Sequence, residues 1–191
     1  MEPLERRAGL RRTARRLRRE MDQAQRARAS GEICRRLLAL PEYGRCTTLL
    51  GYMPLEGEVD VEPLLRHALE QGKRVFLPCS HPDGTMEFRE TDLEDLETGA
   101  FGVREPRGGA LFRPEAGSLC ILPGLCFDWM GYRLGYGKGY YDRFLQEFHQ
   151  GGGISIGVCF SACVVPDCLP QPHDRRADLL ITEERTGYIT G

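Results

Sequence analysis

The stretch of this chain best equipped for chemistry runs from Leu122 to Leu145. Glycines stand at 131, 135, 137 and 139, Lys138 sits among them, and Tyr140, Tyr141 and Asp142 follow directly. Glycine lets backbone amides approach an anion closely. A helix starting at the end of such a loop adds free N–H groups and partial positive charge, and a lysine adds a full charge at the same spot. These parts make a cradle for a polyphosphate. Two tyrosines can stack on a flat ring. A carboxylate one turn from a phosphate can hold a divalent cation directly or through water. The spacing is not that of a Walker A loop, which needs glycine six residues before its lysine and Ser or Thr after it; here those positions are Tyr132 and Gly139. Nor does it fit the dinucleotide fingerprint, whose third glycine is spaced differently. Composition adds weight to Lys138: of 26 basic residues, only Lys73 and Lys138 are lysine.

The elements that must carry this loop can be read from hydrophobic periodicity. Leu10, Ala14, Leu17, Met21 and Ala24 form one apolar stripe at helical spacing. A second helix is expected to start at a Ser30 cap, bury Ile33, Leu37 and Leu38, and close at Pro41. Strands are expected over 47–50, 74–78, 85–89, 119–123, 154–160, 177–181 and 187–189. Helices are expected over 61–71 and 138–149, with Gly72 as a C-cap. The short apolar run Leu119–Pro123 reads as a buried parallel strand. Strands alternating with helices over 191 residues predict one α/β domain, residues 1–191, with a largely parallel sheet and an appended Arg-rich helix.

Charge is segregated. Residues 1–28 carry ten arginines against Glu2, Glu5, Glu20 and Asp22, a net +6, while the whole chain is −2. Such a segment suits nucleic acid, a membrane surface or an acidic small molecule. The apolar stripe gives this helix a packing face but lacks the Trp and Phe of an interfacial anchor. No apolar run approaches the ~18 residues of a membrane span. The eight cysteines form no C-x-x-C pair; Cys159, Cys163 and Cys168 are a weak metal-cluster candidate, and buried hydrophobes are the expectation for most of the rest. Met1 to Glu5 contains no apolar leader. Free thiols without a leader point to a reducing cytoplasm. His67, His81, His149 and His173 match no triad or ligand spacing.

Leu134-Gly-Tyr-Gly-Lys-Gly-Tyr-Tyr-Asp142, preceded by Pro123-Gly-Leu-x-Phe-Asp128 and Gly131-x-Arg133, closely resembles the signature of the 5-formyltetrahydrofolate cyclo-ligase (5,10-methenyltetrahydrofolate synthetase) family. Shorter matches keep the family's order along nearly the whole chain: Arg7-x-x-Leu10-Arg11, Tyr52 with Gly57-Glu58-Val59-Asp60, Gly102-x-x-Glu105-Pro106, and Ala177-Asp178. One departure stands out: the family usually has lysine at the place of Arg7.

The resemblance implies a Rossmann-like fold, similar to sugar-phosphate isomerases and CoA transferases. It implies an enzyme of one-carbon metabolism that uses ATP as co-substrate and Mg²⁺ as cofactor. Its substrate would be 5-formyltetrahydrofolate, closed to 5,10-methenyltetrahydrofolate with release of ADP and phosphate. No nucleic acid, membrane or second subunit is implied as a partner. By the same resemblance Lys138 and Arg133 would be the catalytic cations. ATP would be held by Arg7, Arg11, Arg133, Leu134, Gly135, Tyr136, Gly137, Lys138, Gly139, Tyr140 and Tyr141. The folate would be held by Tyr52, Glu58, Tyr136, Lys138 and Tyr140, with the Glu58 carboxylate on the donor edge of the pterin. Asp142 and Asp178 would position the metal. Two rivals stay open: a paralogue using the loop on another substrate, and a nucleic-acid binder using the Arg-rich helix.

Overall fold

A computed structural model describes residues 3–99 and 101–190; Met1 and Glu2 of the opening segment lie outside it. At its centre is a seven-stranded sheet of order β11-β10-β9-β6-β1-β2-β3. Its strands are β1 (Thr48–Leu50), β2 (Arg74–Ser80), β3 (Met86–Glu90), β6 (Ser118–Leu122), β9 (Ile154–Val158), β10 (Leu179–Ile181) and β11 (Thr186–Tyr188). The pairs from β10 through β9, β6 and β1 to β2 are all parallel, and the two edge strands, β3 and β11, run antiparallel. Two short ribbons stand apart: β4 (Leu96–Thr98) with β5 (Arg104–Pro106), and β7 (Cys126–Phe127) with β8 (Arg133–Leu134).

Side chains alternate across the sheet as the strand period of two requires. Leu49, Val75, Leu77, Leu119 and Ile121 face one way, against Ile33, Leu37, Leu64, Leu65 and Ala68. These come from α2 (Gln23–Leu38) and α4 (Glu62–Glu70). Leu50, Phe76, Cys120 and Leu122 face the other way, against Leu145 and Phe148 of α5 (Tyr140–Gln150). A third cluster joins Ala14 of α1 (Pro3–Glu20) to Leu125, Cys126, Leu134 and Cys168. The Arg-rich helix is therefore packed against the ribbon that precedes the glycine loop.

Several boundaries differ from expectation. The N-terminal stripe spans two helices. Asp22 caps α2, its carboxylate accepting from the Gln25 amide at 2.7 Å while the Gln25 side chain accepts from the Asp22 amide at 2.8 Å. This capping box is worth on the order of 1 kcal/mol. Ser30 lies inside α2, where its hydroxyl accepts from the Asp60 amide. Leu38 is exposed rather than buried, and Pro41 opens a short helix, α3 (Pro41–Arg45). Lys138 precedes α5 instead of starting it, because Gly139 is the N-cap and takes φ 69°. That left-handed backbone costs an L side chain roughly 1–2 kcal/mol and costs glycine nothing comparable.

From β1 the chain builds β2 on one side, then returns to place β6 on the other. The sheet therefore has its switch point between β1 and β6, and ligands of doubly wound folds bind outside the carboxyl ends of the strands at that point.

Candidate active site

Both strands at the switch point end in the segments that the sequence marks. β1 leads through Gly51 into Tyr52 and the loop carrying Glu58; β6 leads through Pro123 and Gly124 into the β7–β8 ribbon and the glycine loop. Asp128 shapes that ribbon. Its buried carboxylate accepts from the amides of Met130 and Tyr132 at 3.0 Å each and from Cys168 at 2.8 Å.

Lys138 is exposed at the loop's tip, and among the described residues its ammonium meets no carboxylate. No side chain caps α5, so its first-turn N–H groups point out of the protein toward the loop, as an anion site requires. Arg143 braces the loop from behind: Nη2 donates to the carbonyls of Gly84 and Lys138, at 2.5 and 3.1 Å. Gly135 and Gly137 have open space where a Cβ would stand, and Gly137 has φ 99°. Leu134 is fully buried and anchors the loop in the third apolar cluster.

Glu58 closes the opposite wall. Its carboxylate accepts from the Tyr136 hydroxyl at 3.1 Å and the Leu55 amide at 3.0 Å. Burial raises the Glu58 carboxyl above its ordinary value, opposed by the Leu55 amide, Arg18 and Tyr136. Burial also pushes the Tyr136 phenol up to about 12. Tyr52 lies below, buried, donating to the Val59 carbonyl at 2.9 Å; it fixes the shape of the Glu58 loop from within. Tyr140 donates to the His81 carbonyl at 3.1 Å and stands 6.1 Å from the exposed ring of Phe101. Burial raises the Tyr141 phenol, which the Arg133 guanidinium faces at 5.7 Å.

The α1 arginines enter from above. Arg11 Nε donates to the Gly135 carbonyl at 2.9 Å, so the helix holds the loop directly. Arg7 is buried and ion-paired with Asp174 at 2.6 Å, with a further bond to the Leu169 carbonyl at 3.1 Å. Arg133 is spent in the same way: Nη1 donates to the Arg175 carbonyl at 2.9 Å and Nη2 to Asp142 at 3.1 Å. Arg7 and Arg133 thus stand as anchors within the protein rather than free cations facing the loop.

Asp142 and Asp178 are not brought together. Asp142 lies in the first turn of α5, where one oxygen accepts from Arg133 and from the Arg175 amide at 3.0 Å. Asp178 meets the last turn of the same helix, accepting from the Ser155 amide at 2.8 Å and standing 3.3 Å from His149 Nε2. The seven residues from Asp142 to His149 span roughly 10 Å of helix. A shared metal between the two aspartates does not fit, and among the described residues no group of three His, Cys, Asp or Glu side chains could hold one. This corrects the paired-aspartate expectation and leaves Cys159, Cys163 and Cys168 as buried free thiols. His149 touches Asp178 and Ser155 through the same ring nitrogen, which is not a triad's arrangement.

Sequence reasoning passed over Arg18, although its spacing from Arg7 and Arg11 puts it on their face of α1. It is buried and donates to the Gly124 carbonyl at the end of β6. It also passed over Asp174 and Arg143, for which nothing local gave a signal.

A doubly wound sheet with a capless helix, a glycine loop and an unpaired lysine at its switch point defines a phosphate-binding α/β protein. The particular family follows from comparison: the model of the 5-formyltetrahydrofolate cyclo-ligase family matches residues 3–183, and the chain belongs to that family. It is 27% identical to the mouse 5-formyltetrahydrofolate cyclo-ligase over 92% of this chain and 93% of the other. The Haemophilus influenzae protein of the same name is 28% identical over 88% of this chain and 92% of the other. The solved structure of the Aquifex aeolicus 5,10-methenyltetrahydrofolate synthetase superposes with a TM-score of 0.82 at 31% identity, covering 97% of this chain and 93% of that one.

Proposed function

We propose that the chain cyclises 5-formyltetrahydrofolate to 5,10-methenyltetrahydrofolate with consumption of ATP. The observation that carries the reading is the facing of two walls: the Lys138 loop on α5 and the buried Glu58 held by Tyr136. The first suits a polyphosphate, the second a ring that presents adjacent N–H donors. Family membership supplies the substrate.

The chemistry needs no protein nucleophile. The γ-phosphoryl group passes to the formyl oxygen and ADP leaves. N10 of the folate then bonds to the formyl carbon, the C–O bond breaks, and phosphate and the N10 proton depart. The protein's share is alignment and charge neutralisation. Lys138 and the amides of Gly135 to Tyr141 receive the β- and γ-phosphates. Arg11 keeps the loop in place through Gly135, and Arg133 keeps α5 in place through Asp142. Glu58 orients the pterin, with Tyr136, Tyr140 and Tyr52 shaping its pocket. Arg7 acts through Asp174 unless nucleotide binding draws it out of that pair. Mg²⁺ arrives with the nucleotide, where it offsets phosphate charge, and only Asp142 is placed to meet it. A monomer in the cytoplasm, binding neither nucleic acid nor membrane, completes the reading; no helix among the described residues is long and apolar enough to cross a membrane.

The test is direct. Protein mixed with 5-formyltetrahydrofolate and Mg-ATP should develop the methenyl chromophore, and omission of ATP should abolish it. A folded protein that gives no ATP-dependent chromophore rejects the proposal.

A further inference from the structure

The outward face of α1 is not used by anything described so far. Arg12, Arg15, Arg16 and Arg19 are all exposed and share one face at helical spacing. With Thr13 they line a surface groove of about 350 Å³. Arg16 pairs with Glu20 at 3.4 Å; Arg12, Arg15 and Arg19 meet no carboxylate among the described residues. Like charges at i,i+4, here Arg12–Arg16 and Arg15–Arg19, destabilise a helix. Folding alone therefore gives no reason for the row, and an anion would relieve it.

The row begins at the pocket. The Arg15 guanidinium lies 5.7 Å from the Tyr136 ring centroid, and Tyr136 is bonded to Glu58. From there the guanidinia climb away along the helix, one turn (5.4 Å) apart. We propose that this face is a subsite for the glutamyl tail of the folate, reading its carboxylates and favouring forms extended by further γ-linked glutamates. The proposal rests on the cyclo-ligase reading. An extended γ-glutamyl unit spaces its carboxylates by roughly 6 Å, from ordinary bond lengths, close to the pitch of the arginine row. Arginine suits the task because its planar fork takes a carboxylate in two hydrogen bonds.

The experiment compares 5-formyltetrahydrofolate carrying one glutamate with the same folate carrying three. For wild type at low ionic strength the triglutamate KM should be about five- to tenfold lower, as two or three exposed ion pairs would give. The gain should shrink as salt is raised. In Arg12→Gln/Arg16→Gln/Arg19→Gln the gain should vanish, while monoglutamate kcat and KM stay within twofold, which also reports intact folding. Fluorescence titration of both folates gives Kd without turnover. Tail-dependent Kd in a protein that turns over neither folate would uphold the subsite and reject the proposed activity. No tail effect in wild type, or a tail effect that survives in the triple variant, overturns the subsite. So does a single-stranded RNA that binds wild type but not the variant while tail length leaves KM unchanged; that result assigns the face to nucleic acid.

Discussion

Replacing Lys138 with Met separates chemistry from folding more cleanly than any other single change. Its side chain is exposed, and among the described residues the only bond to Lys138 outside the chain's own helices and strands is to its carbonyl, from Arg143 at 3.1 Å. The carbonyl survives the substitution. Surface changes of this kind stay within about 0.5 kcal/mol, so the thermal midpoint should move by no more than about 2 °C in a domain of this size. The catalytic cost follows from the proposed role. A preorganised donor facing charge that develops in the transition state is worth about 3–4 kcal/mol, or 10²–10³ in kcat. Lys138→Arg keeps the charge on a longer, planar head and should recover part of the rate. Methenyl chromophore formation under saturating substrates gives kcat; a melting curve gives the midpoint. A variant that keeps more than a tenth of the wild-type kcat with an unchanged midpoint refutes the phosphate-loop assignment. A midpoint that falls by 5 °C or more would show that Lys138 holds structure, contrary to its exposure.

Other outcomes test other contacts. Glu58→Gln should raise the folate KM at least tenfold while changing the ATP KM little. Burial holds the Glu58 carboxyl above its ordinary value, so wild-type kcat/KM for folate should rise with pH through an acid limb above 4.5, and that limb should be missing in the variant. The sign for stability is the opposite: a raised carboxyl favours the fold while protonated, and that contribution is lost as pH rises through the raised value. Asp178→Asn should lower the thermal midpoint and leave the Mg²⁺ dependence of the rate unchanged; altered metal dependence would bring Asp178 back to the metal. Despite burial, which acts upward, His149 and Ser155 hold this carboxyl below its usual value, so its stabilising share is present above pH 4 and lost as pH falls. Asp174→Asn strands the buried Arg7 and should cost about 3 kcal/mol or more by denaturant unfolding; a loss under 1 kcal/mol would free Arg7 for direct nucleotide contact.

The central strands were legible because burial on both faces leaves short apolar runs between turn residues, as at Leu119–Leu122. The glycine loop was legible because its glycines, lysine and tyrosines are contiguous. What failed was the reading of which parts meet. The stripe from Leu10 to Ala24 keeps helical spacing across the break at Met21, so periodicity alone could not reveal two helices; the Asp22–Gln25 capping box could have. The paired aspartates failed for a reason of sheet direction. Asp178 stands just before β10, whereas the glycine loop leaves the end of β6, and the two strands are parallel to β9. Residues at the start of one parallel strand and after the end of another lie on opposite edges of a sheet, so a metal between them was excluded by topology. The Arg7–Asp174 pair joins residues 167 apart, and no local pattern predicts it.

The arginines of α1 show how one helix can divide its charge. Arg7, Arg11 and Arg18 turn inward and spend their donors on Asp174, Leu169, Gly135 and Gly124. Those contacts tie the helix to the glycine loop, to the end of β6 and to the segment before β10. A guanidinium facing a carbonyl in a buried site keeps its full charge, so these anchors also make the site's field positive without offering a point to which phosphate must bind. Lys138, alone at the tip, then supplies the compact charge that can approach the moving phosphoryl group. Arginine fills positions where a fixed geometry has to be held, and lysine the position where an approaching anion has to be met. In a chain with only two lysines, that division predicts that Lys138→Arg will disturb catalysis more than Arg11→Lys, although both changes conserve charge. Equal losses from the two would mean that charge alone, and not the shape of the cation, sets the rate at this loop.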